Sequence, residues 1–346
     1  MTAPNGVPTK PRHLITPFRV LFTLILVGLV LWKLDVFKRT PRVAIITSGE
    51  GPYWDQVEAG AKSAASSNNV DVTVIRCKTD MLAQSDAIRQ ALDQKYDGIA
   101  VSPINPTGEA STLASIAAAT TLVTLDSDSP VARRVCFIGT DNYDAGRLSG
   151  QMIRSAIPDG GDVIICLGNA EKENTQARRQ GVIDELLQRP FDPDHSPDPM
   201  DGVIKGDKYS IVATLVDGAD PATLTQLATD AIKKNPDVKC FAGLLYYSAP
   251  ALTKAIDQAG QTGKIQVVGF DVGDATLAGI DSGSIAGTIM QDQFNIGFET
   301  VRILADCAHG DTIQLPVYAK HTLNCKIVNK ANLSDIRDSL AKKPGT

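Results

Sequence analysis

The chain has 346 residues, 43% apolar and 21% charged, an ordinary globular composition and about two domains' worth of polypeptide. That excludes a disordered, collagenous or multi-span membrane protein. Residues 1–42 carry seven Lys or Arg against Asp35 alone, which leaves the rest with 27 bases and 38 acids, a net charge of −11. Such a body has no bulk attraction for nucleic acid or anionic lipid, so a small ligand is expected.

Residues 1–42 form the first segment. Polar residues 1–13 lead to Arg19, and thirteen apolar or small residues then run from Val20 to Trp32 before Lys33. This reads as an export signal or, if Leu34, Val36 and Phe37 extend the run while Lys33 and Asp35 snorkel, as an uncleaved membrane anchor. No A-x-A-like cleavage site precedes Pro41, and no Cys lies near the run to take a lipid. Either reading places the body outside the cytoplasm, periplasmic or tethered to the inner membrane.

From Val43 on, short apolar runs alternate with helical periodicity, the mark of βαβ units and parallel sheets. The strand-like runs are Val43–Thr47, Val70–Ile75, Gly98–Ser102, Leu122–Asp126, Val135–Gly139, Asp162–Leu167, Tyr209–Leu215, Cys240–Leu244, Val267–Asp271 and Ala286–Gln291. Between them, helices are expected over Asp55–Ser67, Leu82–Gln94, Ala110–Ala119, Ala145–Ala156, Thr175–Leu187, Ala222–Lys234, Ala249–Ala259 and Ile296–Ala308. Five strands fall before about residue 140 and five after it, which implies two similar α/β lobes. Residues 190–207 break the rhythm with prolines and aspartates and read as a solvated surface insertion without a regular element. Its His195 and aspartates fit neither an EF-hand loop nor a zinc site.

The six cysteines form no C-x-x-C pair, so zinc and redox work lack their usual spacing. Cys136, Cys166 and Cys240 read as buried small hydrophobes, whereas Cys307 and Cys325 flank a polar loop, and whether they pair in an oxidising compartment is left open by the sequence. No P-loop, dinucleotide fingerprint, nucleophile elbow or H-E-x-x-H occurs, and none of the four histidines ends a core strand, so neither a cofactor nor a metal is expected.

Ligands of open parallel sheets sit beyond the carboxyl ends of the strands. Asp126 closes TLVTLD, Asp271 closes VVGFD and Gln291 closes GTIMQ. A carboxylate accepts two hydroxyl donors and an amide offers both a donor and an acceptor, a set suited to a neutral polyhydroxy ligand. Tyr53 and Trp54 stand at a loop-to-helix junction, where an aromatic face covers the CH face of a sugar ring or packs the helix to the sheet. Arg178, in NTQARRQG, opens a helix and can fork towards ligand oxygens, unless Arg179 is the inward one or both lie on the surface.

At this point the chain resembles the periplasmic sugar-binding proteins of ABC importers, the ribose-binding-like type I branch of the solute-binding superfamily. GPYWDQVEAGAKSAA, GIAVSPIN, LVTLDSDSP, FIGTDNYDAGRLSGQMI, NTQARRQGV, VVGFD and GSIAGTIMQDQFNIGFETV follow one another in that family's order over roughly residues 43–335. The resemblance implies two doubly wound parallel-sheet lobes, 43–141 plus 291–323 and 142–290 plus 324–336. A hinge of three crossovers joins them, near Thr140–Asn142, Gln291–Asp292 and Leu323–Cys325. It implies Trp54 and Tyr53 as aromatic clamps, Asp126, Asp271 and Gln291 as hydrogen-bonding groups, Arg178 as the cleft arginine and Asn142 as a further candidate beside the hinge. Where ribose-type members have Arg after the first-lobe aspartate this chain has Ser127, and Tyr246-Tyr247-Ser248 replaces an Asn-Asp pair. Tyr247 is therefore a ligand candidate, in a cleft that should be less cationic and more aromatic than a ribose site.

The expected function is capture of a sugar or polyol by lobe closure and delivery to ABC permease subunits. The alternative is a receptor for autoinducer-2 or another small ligand that feeds a sensor system. A gene regulator would need a helix-turn-helix headpiece, for which residues 1–42 are too hydrophobic. A glycosidase would need Asp126 and Asp271 as a spaced carboxylate pair.

Overall fold

The computed structural model describes residues 20–22, 24–26, 39–192, 194–311 and 319–341. The chain divides into two units, residues 1–40 and 41–346. In the first, residues 20–22 and 24–26 are helical, and their apolar side chains are 47% to 63% exposed. Most of the expected signal or anchor lies outside the described residues, among which no helix is long and apolar enough to cross a membrane.

The second unit holds two α/β lobes. The first-lobe strands are β1 (Arg42–Ile46), β2 (Asp71–Ile75), β3 (Gly98–Val101), β4 (Thr121–Leu125) and β5 (Cys136–Thr140), and the first-lobe helices between them are α1 (Pro52–Asn68), α2 (Met81–Asp93) and α3 (Ala110–Ala119). The chain then runs through α4 (Asn142–Ala156), β6 (Gly161–Leu167), α5 (Glu173–Leu186), β7 (Ile204–Lys205), β8 (Tyr209–Val216), α6 (Pro221–Lys234), β9 (Val238–Gly243), α7 (Ser248–Gln258), β10 (Gln266–Phe270), α8 (Asp274–Ser282) and β11 (Gly287–Met290). It ends with α9 (Gln293–His309), β12 (Lys320–Leu323), β13 (Lys326–Asn329) and α10 (Leu333–Ala341).

Among the described residues one sheet has six strands in the order β12-β5-β4-β3-β1-β2, and the other has seven, β13-β11-β10-β9-β6-β8-β7. The first is parallel throughout, and the second is parallel except at its two edges, β13 and β7. Both therefore carry the same doubly wound core, with a switch of direction beside β1 and again beside β6. Both faces of each sheet are covered, which is why the central strands read as continuous apolar runs. Val43, Ile45, Val123 and Ile138 pack under α1 and α9, while Ala44, Ile46, Ile99 and Val101 pack under α2 and α3.

Among the described residues the chain passes between sheets three times: from β5 into α4, from β11 into α9, and from β12 to β13. The first two crossovers are swapped, because α4 packs on α5 in the second lobe and α9 packs on α1 in the first. Matching glycines permit both close crossings. A Cβ on Gly60 or Gly297 would overlap the carbonyl of Phe294 or Val57, and one on Gly146 or Gly181 would overlap that of Arg178 or Tyr143.

The structure corrects two expectations, both about residues 190–207, and decides the open cysteine pairing. Residues 190–207 do contain a regular element, since Ile204 of β7 pairs with Ile211 of β8. Nor is the insertion simply solvated: the carbonyls of Asp198 and Pro199 accept from the Arg179 guanidinium at 2.8 and 2.7 Å, and Asp198 Oδ2 accepts from Arg189 at 2.7 Å. The insertion thus buries Arg179, so neither arginine of the pair lies on the surface. Cys307 and Cys325 are unpaired, because Cys307 packs against the first-lobe core and Cys325 against the second-lobe core.

Candidate functional site

Loops from the carboxyl ends of strands in both lobes enclose a cavity of about 210 Å³. From the first lobe come Ser48, Gly49, Tyr53 and Trp54 after β1, and Asp126 after β4. The second lobe contributes Lys172 and Asn174 after β6, Arg178 on α5, Tyr246 and Tyr247 after β9 and Asp271 after β10, and Gln291 joins them from the crossover that follows β11. Of the eight candidates, Tyr53, Trp54, Asp126, Arg178, Tyr247, Asp271 and Gln291 line this cavity. Asn142 does not line it, and instead its Oδ1 accepts from Arg178 Nε at 2.9 Å behind the wall.

Asp126 is held from both lobes. Oδ1 accepts from the Tyr53 hydroxyl and Oδ2 from Ser102 Oγ, both at 2.9 Å. Across the cleft, Asn174 Nδ2 stands 3.5 Å from each oxygen and Lys172 Nζ stands 3.5 Å from Oδ2. Lys172 also donates to Ser48 Oγ at 2.7 Å. Outside the cavity, Asn105 of the first lobe donates to Glu171 of the second at 2.7 Å. These bonds tie the lobes together over the cavity. Burial, with Asp126 and Asp271 nearby, pushes the Tyr53 hydroxyl well above its ordinary pKa, so it remains a donor.

Asp271 sits at the end of a relay that crosses the hinge. Its Oδ2 accepts from Gln291 Nε2 at 2.9 Å and its Oδ1 from Gln293 Nε2 at 2.6 Å. Gln291 Oε1 in turn accepts from Arg178 Nη2 at 2.9 Å and from Thr140 Oγ1 at 2.8 Å. Thr140 closes β5 and Gln291 follows β11, so one amide joins two crossovers to the cleft arginine. The Arg178 guanidinium also donates to the Leu244 carbonyl at 3.1 Å and stacks 4.0 Å over the Phe270 ring, a desolvated geometry that suits its planar fork. Burial raises the Asp271 carboxyl to about 6 against the pull of Arg178 and Gln291.

Tyr247 is oriented from behind, its hydroxyl donating to Asp217 Oδ1 at 2.5 Å. Burial raises Asp217 to about 6 and drives the Tyr247 hydroxyl far up, so the proton stays on the phenol. Trp54 is 6% exposed and meets Tyr53 edge to face at 5.1 Å. It both packs α1 to the sheet and lines the cavity.

Lys172 and Asn174 were not anticipated from the sequence. They lie in GNAEKENT, a polar stretch at the carboxyl end of β6, before apolar periodicity begins. Lys172 brings a positive charge to Asp126 from the second lobe. Asn174 Oδ1 is buried and accepts no hydrogen bond from the protein, so it is placed to accept one from a ligand hydroxyl. No histidine lines the cavity, and no group of three His, Cys, Asp or Glu among the described residues is placed to hold a metal. The arrangement is therefore a set of oriented donors and acceptors around a small cavity between the lobes, which can recognise a polyhydroxylated molecule.

Residues 43–312 match the periplasmic binding protein domain family. The chain belongs to that family. This binding protein is 23% identical over 296 residues to the D-allose-binding periplasmic protein of Escherichia coli K12, covering 82% of this chain and 89% of the relative. It is 22% identical to the ribose import binding protein of Salmonella typhimurium, with 83% and 89% covered. Among solved structures, the glucose-galactose binding protein GanP of Geobacillus stearothermophilus superposes with a TM-score of 0.77 at 26% identity, covering 86% of this chain and 99% of that one. An ABC transporter solute binding protein of Burkholderia graminis in complex with D-arabinose gives 0.76 at 25% identity, with 86% and 98% covered. These relatives are binding proteins rather than enzymes, and membership implies an extracytoplasmic protein.

Proposed function

We propose that this binding protein captures a monosaccharide or related polyol between its lobes and offers the closed form to the permease subunits of an ABC importer. The observation that carries the reading is the pair of strand-end carboxylates, Asp126 and Asp271, facing one cavity of about 210 Å³ from opposite lobes. That volume is below the roughly 300–1,000 Å³ of drug-sized ligand sites. The buried charges of the wall balance, Asp126 and Asp271 against Arg178 and Lys172, which favours a neutral ligand. Each carboxylate and Asn174 Oδ1 accept hydroxyl protons, Arg178 donates to ligand oxygens, and Tyr53, Trp54 and Tyr247 cover the ring's CH face.

The moving bodies in this reading are 43–141 with 291–323 and 142–290 with 324–336, hinged at the three crossovers. Val20–Trp32 serves as the export signal or anchor, supported by its apolar sequence and the exposure of its described residues. The relatives named above carry sugars in their names, which favours a sugar over autoinducer-2. Catalysis is no part of the reading, since Asp126 and Asp271 are each engaged by protein donors.

A thermal-shift screen of the purified protein against pentoses, hexoses, polyols, amino acids and nucleosides tests it. A ligand at about 100 times Kd stabilises by roughly 2.7 kcal/mol. A rise with one sugar supports the reading, whereas a rise only with an amino acid or nucleoside overturns it.

A further inference from the structure

The cavity does not end at its own wall. A second recess, of about 650 Å³, adjoins it, and Pro52, Tyr53, Tyr246 and Gln291 line both. Asp271 stands at the partition. One of its oxygens accepts from Gln291, which faces both spaces, and the other accepts from Gln293, which lines only the recess. The three residues after Asp271, Val272, Gly273 and Asp274, continue directly into the recess wall. Gly273 carries the backbone close beneath Tyr246, because a Cβ there would meet the Tyr246 hydroxyl.

The recess is amphipathic. Val272, Leu277 and Met290 form an apolar floor, and Gln56, Gln293 and Arg337 supply polar groups around it. Apolar faces bordered by hydrogen-bonding groups suit a sugar ring, whose CH faces are apolar and whose rim is hydroxylated. The inner cavity accommodates one ring, and the recess, about three times larger, accommodates a second ring or an aglycone.

We propose that the recess is a second subsite and that the ligand is a glycoside, a disaccharide or an alkyl or aryl glycoside. Its sugar occupies the inner cavity, and its substituent leaves past Asp271, between Tyr53 and Tyr246. This rests on the sugar reading above. It adds that the substituted position lies beside the hydroxyl that donates to Asp271 and points past that carboxylate into the recess.

Calorimetric titration tests this with free D-allose, D-ribose, D-arabinose, D-galactose and D-glucose, with their methyl and 4-nitrophenyl glycosides, and with disaccharides that carry these sugars terminally. The expected result is that at least one glycoside binds tenfold or more tighter than its free sugar. Gln56→Trp, which fills the recess from the surface of α1, should then lower that glycoside-to-sugar ratio at least fivefold. Arg337→Trp fills it from α10 and serves if the first variant does not fold. If free sugars bind and glycosides bind no tighter, or if the ratio is unmoved in a folded variant, the subsite is overturned and the sugar reading stands. If neither sugars nor glycosides bind, both fall together.

Discussion

Asp126 and Asp271 occupy matching places in the two lobes and share an unusual backbone, with φ of 61° and 62°. Each directly follows a strand, β4 or β10, and each donates its N–H to the neighbouring strand, Asp126 to Ile138 at 3.0 Å and Asp271 to Ile289 at 2.7 Å. A left-handed conformation costs an L-residue about 1–2 kcal/mol. The matched φ at two equivalent strand ends gives both carboxylates the same direction relative to their sheets. The left-handed turn ends the strand while aiming the carboxylate over its carboxyl end, where the opposite lobe supplies its counterpart.

Lys172 is the bond across the cleft that the strand-end logic does not supply. Its ammonium is largely buried and lies between Asp126 Oδ2 and Ser48 Oγ, at 3.5 and 2.7 Å. Lys172→Met keeps the aliphatic stem and removes the charge, leaving Asp126 with one donor fewer when the lobes close. Calorimetry should show sugar affinity reduced about tenfold or more, equivalent to roughly 1.4 kcal/mol.

The pH response follows from Asp271, which burial raises to about 6 from an ordinary value of 3.8. A carboxyl with a raised folded pKa gives stability that is complete below its unfolded pKa, about 4, and is lost as pH rises through about 6. Asp217, also raised to about 6, acts in the same direction. The melting temperature of the sugar-free protein should therefore fall between about pH 4 and pH 6.5, and less steeply in Asp271→Asn. Sugar hydroxyls donate to the ionised form, so sugar-induced stabilisation should grow over the same interval. Thermal shifts measured with and without sugar in both proteins check the sign.

Tyr247 and Asp217 stand together. Asp217 Oδ2 is buried without a partner, while Oδ1 accepts from Tyr247 and from the Ala219 amide. Tyr247→Phe removes one of the two supports of an already under-satisfied carboxylate. Denaturant unfolding at pH 7 should show a loss of about 1–3 kcal/mol, and the loss should shrink near pH 5, where the carboxyl is protonated.

The glycine pairs at the two swapped crossings separate stability from binding. Gly297→Ala sets a methyl group against the Val57 carbonyl and should cost about 1–3 kcal/mol. Gly146→Ala pushes on the backbone of Arg178 itself, so it should lose stability and sugar affinity together. Ser66→Ala, on the exposed face of α1, should remain within about 0.5 kcal/mol of the parent.

The central strands were legible in the sequence because parallel strands covered on both faces read as unbroken apolar runs. β7, β12 and β13 were not, being two to four residues long and lying at sheet edges, where alternation over so few positions gives no period. α4 starts at Asn142 rather than at Ala145, as its Asp141 cap shows by accepting from the Asp144 amide at 3.1 Å; that first turn faces the hinge and carries no apolar stripe. In the site, the rule that ligands lie at strand ends led to Asp126, Asp271 and Gln291. Applied to the loop after β6 it also leads to Lys172 and Asn174, which were passed over for the helix beyond them. Arg178 and Arg179 could not be separated by periodicity, because the insertion covers the second residue with its own carbonyls.

The most direct test of the account is calorimetric titration of the parent, Asp126→Ala and Asp271→Ala with the sugar that stabilises the parent. Each variant leaves ligand hydroxyls without their acceptor in the interlobe cavity, so each should lose about 2 kcal/mol or more, roughly 30-fold in affinity. Parent-like affinity in both variants would contradict the assignment of this cavity as the sugar site.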